Sequence, residues 1–202
     1  MAKEIFTIGY SGFPKVEDFI TALKQYNIQI LIDVLSSPFS AYYETYNKDR
    51  LDSILRNNSI FYTNYAKQFG ARQDNRDFYK NGRLDFETFS KSEQFLAGVS
   101  RVEESSAVVA LMCAEKQPSE CHRTILVARA LSERGHDITH ILPDGITLTQ
   151  RDIDAELLEK YYPDRAQQSL FDDNSLTDAE YIRLAYARRN DEIGFKLEDL
   201  DK

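Results

Sequence analysis

The segment "AVVALMCAEKQPSECHRTILVARALSERG", residues 107–135, joins an apolar run, a polar loop and an amphipathic run without interruption. Its first part, "AVVALMC", is apolar at every position and short, the composition of a strand covered on both faces. Its last part, "SECHRTILVARALSERG", predicts a helix, with Ser119 as a plausible N-cap and Gly135 just past the end. A strand buried on both faces and followed at once by a helix is half of a parallel β-α-β unit.

The same alternation runs outward in both directions. "KEIFTI" and "IQILIDV" read as buried strands on either side of a helix over "PKVEDFITALKQY", whose Val16, Phe19, Ile20 and Leu23 recur at helical spacing. "SIFYT" predicts a third strand after a helix that carries Leu51, Ile54 and Leu55. "SEQFLAGVSRVEE" predicts the helix that enters "AVVALMC", and "DITHIL" a fifth strand. Strand and helix therefore alternate, and the predicted fold class is α/β: an open, mostly parallel sheet with helices on both faces.

After residue 146 the pattern turns helical. Thr149 and Asp152 in "TLTQRDIDAELLEKYY" make a capping-box-like start, and Thr177 and Glu180 open "TDAEYIRLAYARR" with the full signature. The expected organisation is a core domain over 1–146 and a helical extension over 147–202, with a polar linker at 162–176. Residues 64–84 are polar and glycine-containing, and carry no assignable period beyond the character of a lid or insertion.

Composition narrows the function classes. The 202 residues suit one α/β domain with an extension, and 42% hydrophobic with 29% charged residues is ordinary for a globular chain. No apolar run has the length of a membrane span, so no membrane partner is expected. "MAKEIFTIGY" reaches its strand without the apolar segment of a signal peptide, and the expected location is cytoplasmic. In that compartment the two cysteines are expected to stay reduced. A net charge of −8 excludes a basic coat that grips nucleic acid non-specifically, though not a local basic patch.

Open α/β sheets bind ligands beyond the carboxyl ends of their strands. Those ends supply Tyr10, Ser11 and Gly12 after the first strand, and Asp33, Ser36 and Ser37 after the second. Cys113 and Glu115 follow the fourth, and Cys121, His122 and Arg123 lie where the next helix begins. Both cysteines and one of three histidines thus fall within thirteen residues. A helix start favours a thiolate or an anion, an arginine there offers a forked donor, and histidine exchanges protons near neutral pH. Cys121, His122, Asp33 and Glu115 are the candidate catalytic residues. Cys113, ending an apolar strand, is expected to be largely buried, and Cys121 at most partly exposed. If exposed, Cys113 would resemble the strand-end nucleophiles of phosphatases and sulfurtransferases, but the arginine of the phosphatase loop comes too late here. A metal would take Cys113, Cys121 and His122 with Asp33 or Glu115. The seven intervening residues match no zinc-knuckle spacing, so no metal and no cofactor is assigned. The aromatic loop "FSAYYETY" can stack on bases.

"TIGYSG" at 7–12, "DVLSSPFS" at 33–40, "FGAR" at 69–72, "LMCAEKQPSECHR" at 111–123, "QQSLF" at 167–171 and "AYARRNDEIGF" at 185–195 occur in the order of a bacterial and archaeal family. The chain resembles the family catalogued as domain of unknown function 488. The resemblance implies an α/β fold and a polar pocket built from these segments, with Arg72 among its ligand-binding residues alongside Tyr10, Ser11, Gly12, Ser36, Ser37, Cys113 and Arg123. It implies no settled activity. The family commonly carries arginine where Leu35 and Ala41 stand here, which removes two cations from such a pocket. "QQSLF" is also similar to the pentapeptide by which bacterial proteins bind the replication sliding clamp, through Gln167, Ser169, Leu170 and Phe171. Three functions follow as expectations. The first is a pocket that binds or processes a nucleotide or nucleic-acid phosphate group, and the second an adaptor recruited to DNA by the sliding clamp. The third is a thiol enzyme, sulfurtransferase-like or redox, using Cys113 or Cys121.

Overall fold

A computed structural model describes residues 2–165 and 176–201. The five predicted strands are all present as β1 (Glu4–Gly9), β2 (Ile30–Asp33), β3 (Phe61–Asn64), β6 (Val109–Cys113) and β7 (Asp137–Ile141). They form one parallel sheet in the order β3-β2-β6-β1-β7, extended by the antiparallel edge strand β8 (Thr147–Thr149). The α/β class expected from the alternation therefore holds. The chain first builds the sheet outward from β1 to β2 and β3. It then returns to slot β6 between β2 and β1 and continues to β7 on the far side. This reversal places the ends of β1, β6 and β2 side by side, with Gly9 opposite Cys113 and Asp33 opposite Met112.

Both faces of the sheet are covered. Phe6, Ile8, Leu31, Ala110 and Met112 pack with Phe19, Ile20 and Leu23 of α1 (Val16–Gln25) and with Leu51 and Leu55 of α2 (Lys48–Asn57). The alternate residues Ile5, Ile32, Val34, Val109, Leu111 and Cys113 face the other way. They meet Phe95, Val99 and Val102 of α5 (Glu93–Glu104) and the helix that follows β6. Side chains alternate along a strand, so this division is what the apolar runs require, each enclosed Leu, Ile or Phe contributing about 1.5–3 kcal/mol.

Residues 64–84 resolve into α3 (Ala66–Phe69), a short 3-10 turn and a hairpin of β4 (Tyr79–Lys80) with β5 (Arg83–Leu84), leading to α4 (Phe86–Ser90). The hairpin is tied to the C-terminal residues: Leu84 N–H donates to Phe195 O at 2.9 Å, and Leu197 N–H to Gly82 O at 2.9 Å. Leu84 and Phe69 join the core beneath, and Tyr65, Phe78 and Tyr79 pack against it, at spacings too irregular to show a period.

The helix after β6 starts later than the sequence implies. Ser119 lies in a 3-10 turn, Pro118–Glu120, and its hydroxyl donates to Glu156 Oε1 at 2.6 Å instead of capping. A π-helical turn, Arg123–Ala128, runs into α6 (Arg129–Glu133), and Gly135 follows with φ of 89°, the left-handed stop expected there. Two longer helices complete the described chain, α7 (Gln150–Tyr161) and α8 (Asp178–Ile193), packed against each other with Ile153, Leu157, Ala185 and Tyr186 in the core. Among the described residues no helix is long and apolar enough to cross a membrane.

Candidate functional site

Cys113 is the last residue of β6 and follows Val109 and Leu111 onto the α5 face. The chain then crosses above β1, where Ser11 N–H donates to Ala114 O at 3.0 Å. The crossing is close: a Cβ on Gly9 would lie 1.8 Å from Glu115 O. Arg123, fully buried, reaches back from the helix start and fixes the loop from below. Its guanidinium donates to Glu115 O at 2.6 Å, Lys116 O at 3.4 Å and Thr7 Oγ1 at 3.4 Å. Cys121 and His122 then arrive beneath the loop they follow.

The result is a cluster of four side chains from two short segments. Cys113 Sγ and Cys121 Sγ lie 2.9 and 3.0 Å from Glu115 Oε2, and 3.7 and 3.9 Å from His122 Nδ1. The two sulfurs and Nδ1 all fall within 4.8 Å of one another. His122 Nε2 sits 3.0 Å from Val34 O, a carbonyl that can only accept. That bond puts a proton on Nε2 and turns Nδ1 toward the sulfurs. Cys121 Sγ also accepts Arg123 N–H at 3.4 Å. Cys113, Cys121 and His122 are buried, as expected for the two cysteines, whereas Glu115 is an exposed residue whose Oε2 contacts with the sulfurs are partly buried.

Electrostatics couples the four groups. Burial, the Cys121 sulfur and Glu115 push the Cys113 thiol up. Cys121 goes the other way: burial opposes its ionisation, but the Cys113 thiol, the Arg123 charge and His122 outweigh that and hold it low. Burial works against a charged His122, yet Cys121 and Glu115 raise it, and burial followed by Cys121 raises Glu115. The arrangement therefore favours one thiolate beside one protonated imidazole while the other thiol keeps its proton.

The other predicted residues lie elsewhere on the same sheet edge. Asp33 continues the Leu31 face, opposite to Cys113; its oxygens accept Leu35 N–H at 2.8 Å and the Tyr62 hydroxyl at 2.6 Å, and burial raises its pKa. Tyr10 is buried on that face, stacked on Tyr46 at 4.7 Å, with burial and then Cys113 pushing its phenol up to about 12. Gly12 packs against Pro143. Ser36 and Arg72 meet each other, Ser36 Oγ accepting Arg72 N–H at 2.8 Å, while the Arg72 side chain donates to Leu200 O. Ser37 is exposed. Gln167, Ser169, Leu170 and Phe171 lie outside the described residues.

One group of site residues carried no sequence signal. Thr7, His140 and Gln150 form a buried line leading away from Arg123, and each sits in an apolar or alternating run where it looks like an ordinary strand or helix residue.

Fold and cluster together define a parallel α/β protein with a buried Cys-Cys-His group and an exposed glutamate at its switch point. The family model for the domain of unknown function DUF488 matches residues 15–130, more than half of the chain, and the protein belongs to that family. Neither the curated proteins nor the solved structures contain a match to it.

Proposed function

We propose that this protein is a metalloprotein in which Cys113, Cys121 and His122 hold one divalent ion of the zinc class, with Glu115 as the fourth ligand. The convergence of two sulfurs and one ring nitrogen within 4.8 Å carries the reading. With metal–sulfur bonds of about 2.3 Å and metal–nitrogen bonds of about 2.0 Å, a tetrahedral site separates sulfur from nitrogen by about 3.5 Å. The distances here are 3.7 and 3.9 Å.

Hydrogen-bond accounting supports the same reading. Two sulfurs, a carboxylate oxygen and a ring nitrogen converge, each able to give an electron pair to one cation. One divalent cation in place of the two protons that the sulfurs and the imidazole share satisfies all four. The His122 Nε2–H bond to Val34 O is the outer bond that metal-bound histidines use to fix tautomer and orientation. Charge supports it as well. Arg123 is buried, and its guanidinium hydrogen bonds among the described residues go to neutral oxygens. Two thiolates, a carboxylate and a divalent ion leave one negative charge beside it, which balances the guanidinium.

Enclosed sulfurs suit ligands better than nucleophiles that must touch a substrate. The thiol chemistry expected from the sequence thus becomes metal chemistry at the same residues, and the expected phosphate-bearing ligand is one that such an ion can polarise. The test is metal content. Reduced, chelator-treated protein incubated with zinc and freed of excess is expected to retain about one ion per chain. The C113S/C121S variant, shown folded by circular dichroism, is expected to retain none. Folded, reduced wild-type protein that takes up no zinc, or a double variant that retains as much, overturns the proposal.

A further inference from the structure

We infer that Glu115 is a displaceable ligand, and that the vertex it holds is an open position for an oxyanion. The inference rests on the metal reading above and goes beyond it, since it makes the centre a binding site and not a closed structural clip.

The four ligands are not held alike. Cys113 is fixed by the strand that ends in it, with Gly9 opposite. Cys121 Sγ accepts Arg123 N–H, and His122 is locked by Val34 O. Among the described residues, the hydrogen bonds of the Glu115 carboxylate go only to the two sulfurs. Metal uptake leaves both sulfurs as thiolates, and a thiolate cannot donate to the carboxylate. Its Oε2 also stands 2.9 and 3.0 Å from the sulfurs, closer than the edge of about 3.5 Å that a tetrahedral ion imposes. Glu115 must therefore move outward when the ion binds.

Outward is solvent. Glu115 is exposed, whereas the other three ligands are buried. Its backbone does not have to follow, because Glu115 O is held by Arg123 and Ala114 O by Ser11 N–H. The side chain can swing on a fixed main chain. An anionic oxygen that takes its place leaves the charge of the centre unchanged: one carboxylate oxygen leaves the ion and one oxyanion oxygen enters. A closed structural site would instead present four buried ligands with no exchangeable position.

Cobalt tests this, because its visible ligand-field bands report coordination. Wild-type protein and E115A are loaded with cobalt, freed of excess metal and titrated separately with inorganic phosphate and with acetate. The expected result is a saturable shift of the bands in wild type by at least one of the two anions. The same shift is expected at lower anion concentration in E115A, where no carboxylate competes. If E115A does not fold, E115Q serves in its place. Unchanged bands in both proteins, with one cobalt retained, overturn the inference and leave the metal reading standing. A shift confined to the variant also overturns it, since Glu115 is then a fixed ligand. Failure of folded wild-type protein to hold cobalt removes the metal reading itself.

Discussion

At the scale of single residues, the site depends on a missing side chain as much as on those present. Gly9 lets the chain carrying Glu115 pass directly over β1, and even one methyl group there would meet Glu115 O at 1.8 Å. The neighbour is a backbone atom pinned by Arg123, so it cannot turn aside as a flexible side chain would. Gly9→Ala is therefore expected to cost about 3 kcal/mol, the upper end for overpacking, and to lower Tm by roughly 6–12 °C. Thermal melts of the two proteins decide it; an unchanged Tm means the loop has room that the packing does not show. Residue types at this edge were legible in the sequence, because strand ends and rare thiols are visible there. Pairings were not. The seven residues between Cys113 and Cys121 match no metal spacing, yet the loop folds back so that residues distant in sequence face one point. Asp33 shows the reverse: it stands at the right strand end, but the two-residue alternation turns it to the other face, onto Tyr62.

At the scale of elements, strands and helix starts were read from different signals, with different success. β1, β2 and β6 are short apolar runs covered on both faces, β3 carries an exposed Phe61 beside a buried Tyr62, and all five parallel strands appear in the sheet. β8 was absorbed into the helix that follows, because Thr147–Thr149 has the polar character of a cap and owes its strand geometry to pairing with β7. The π-helical turn at Arg123–Ala128 is equally invisible in sequence, since its residues have ordinary helical character. Such turns re-aim side chains where function requires it, and this one begins at the arginine that holds the loop. Capping was more legible. Thr149 with Asp152 looks weaker than Thr177 with Glu180, but both form complete boxes, with hydroxyl to N–H distances of 3.3 Å in each. The return bonds, 2.7 Å from Thr149 N–H and 2.8 Å from Thr177 N–H, are equally good. Thr149→Ala and Thr177→Ala are thus each expected to cost about 1 kcal/mol. Urea midpoints measure both, and a Thr149 variant as stable as wild type would restore the ranking that the sequence suggests.

At the scale of the whole molecule, one buried line of hydrogen bonds joins the cluster to the outer helices. Arg123 Nε–H donates to Thr7 Oγ1, the Thr7 hydroxyl to His140 Nδ1 at 2.8 Å, and His140 Nε2–H to Gln150 Oε1 at 3.2 Å. Gln150 Nε2 donates to the Tyr186 hydroxyl at 2.6 Å, which donates to Asp154 Oδ1 at 2.7 Å. The donors all point one way, from a guanidinium toward a carboxylate, across β1, β7, α7 and α8. That direction is consistent only with a neutral His140, whose Nδ1 must accept. Burial, and then the Arg123 charge, lower its pKa to about 3. Because an unfolded histidine titrates near 6.5, the unfolded chain binds the extra proton over the interval from about 6.5 down to 3. His140 therefore costs no stability near pH 7, and stability falls as the pH drops below about 6.5. The loss amounts to about 2 kcal/mol at pH 5. His140→Asn keeps a polar side chain but cannot titrate. In metal-free protein, the stability lost between pH 7 and pH 5 is expected to be about 2 kcal/mol smaller in the variant, whatever its absolute stability. Urea denaturation of both proteins at the two pH values provides the four numbers needed. Equal losses in the two proteins would mean that His140 is protonated inside the fold, and that the one-way line of donors is broken at its centre.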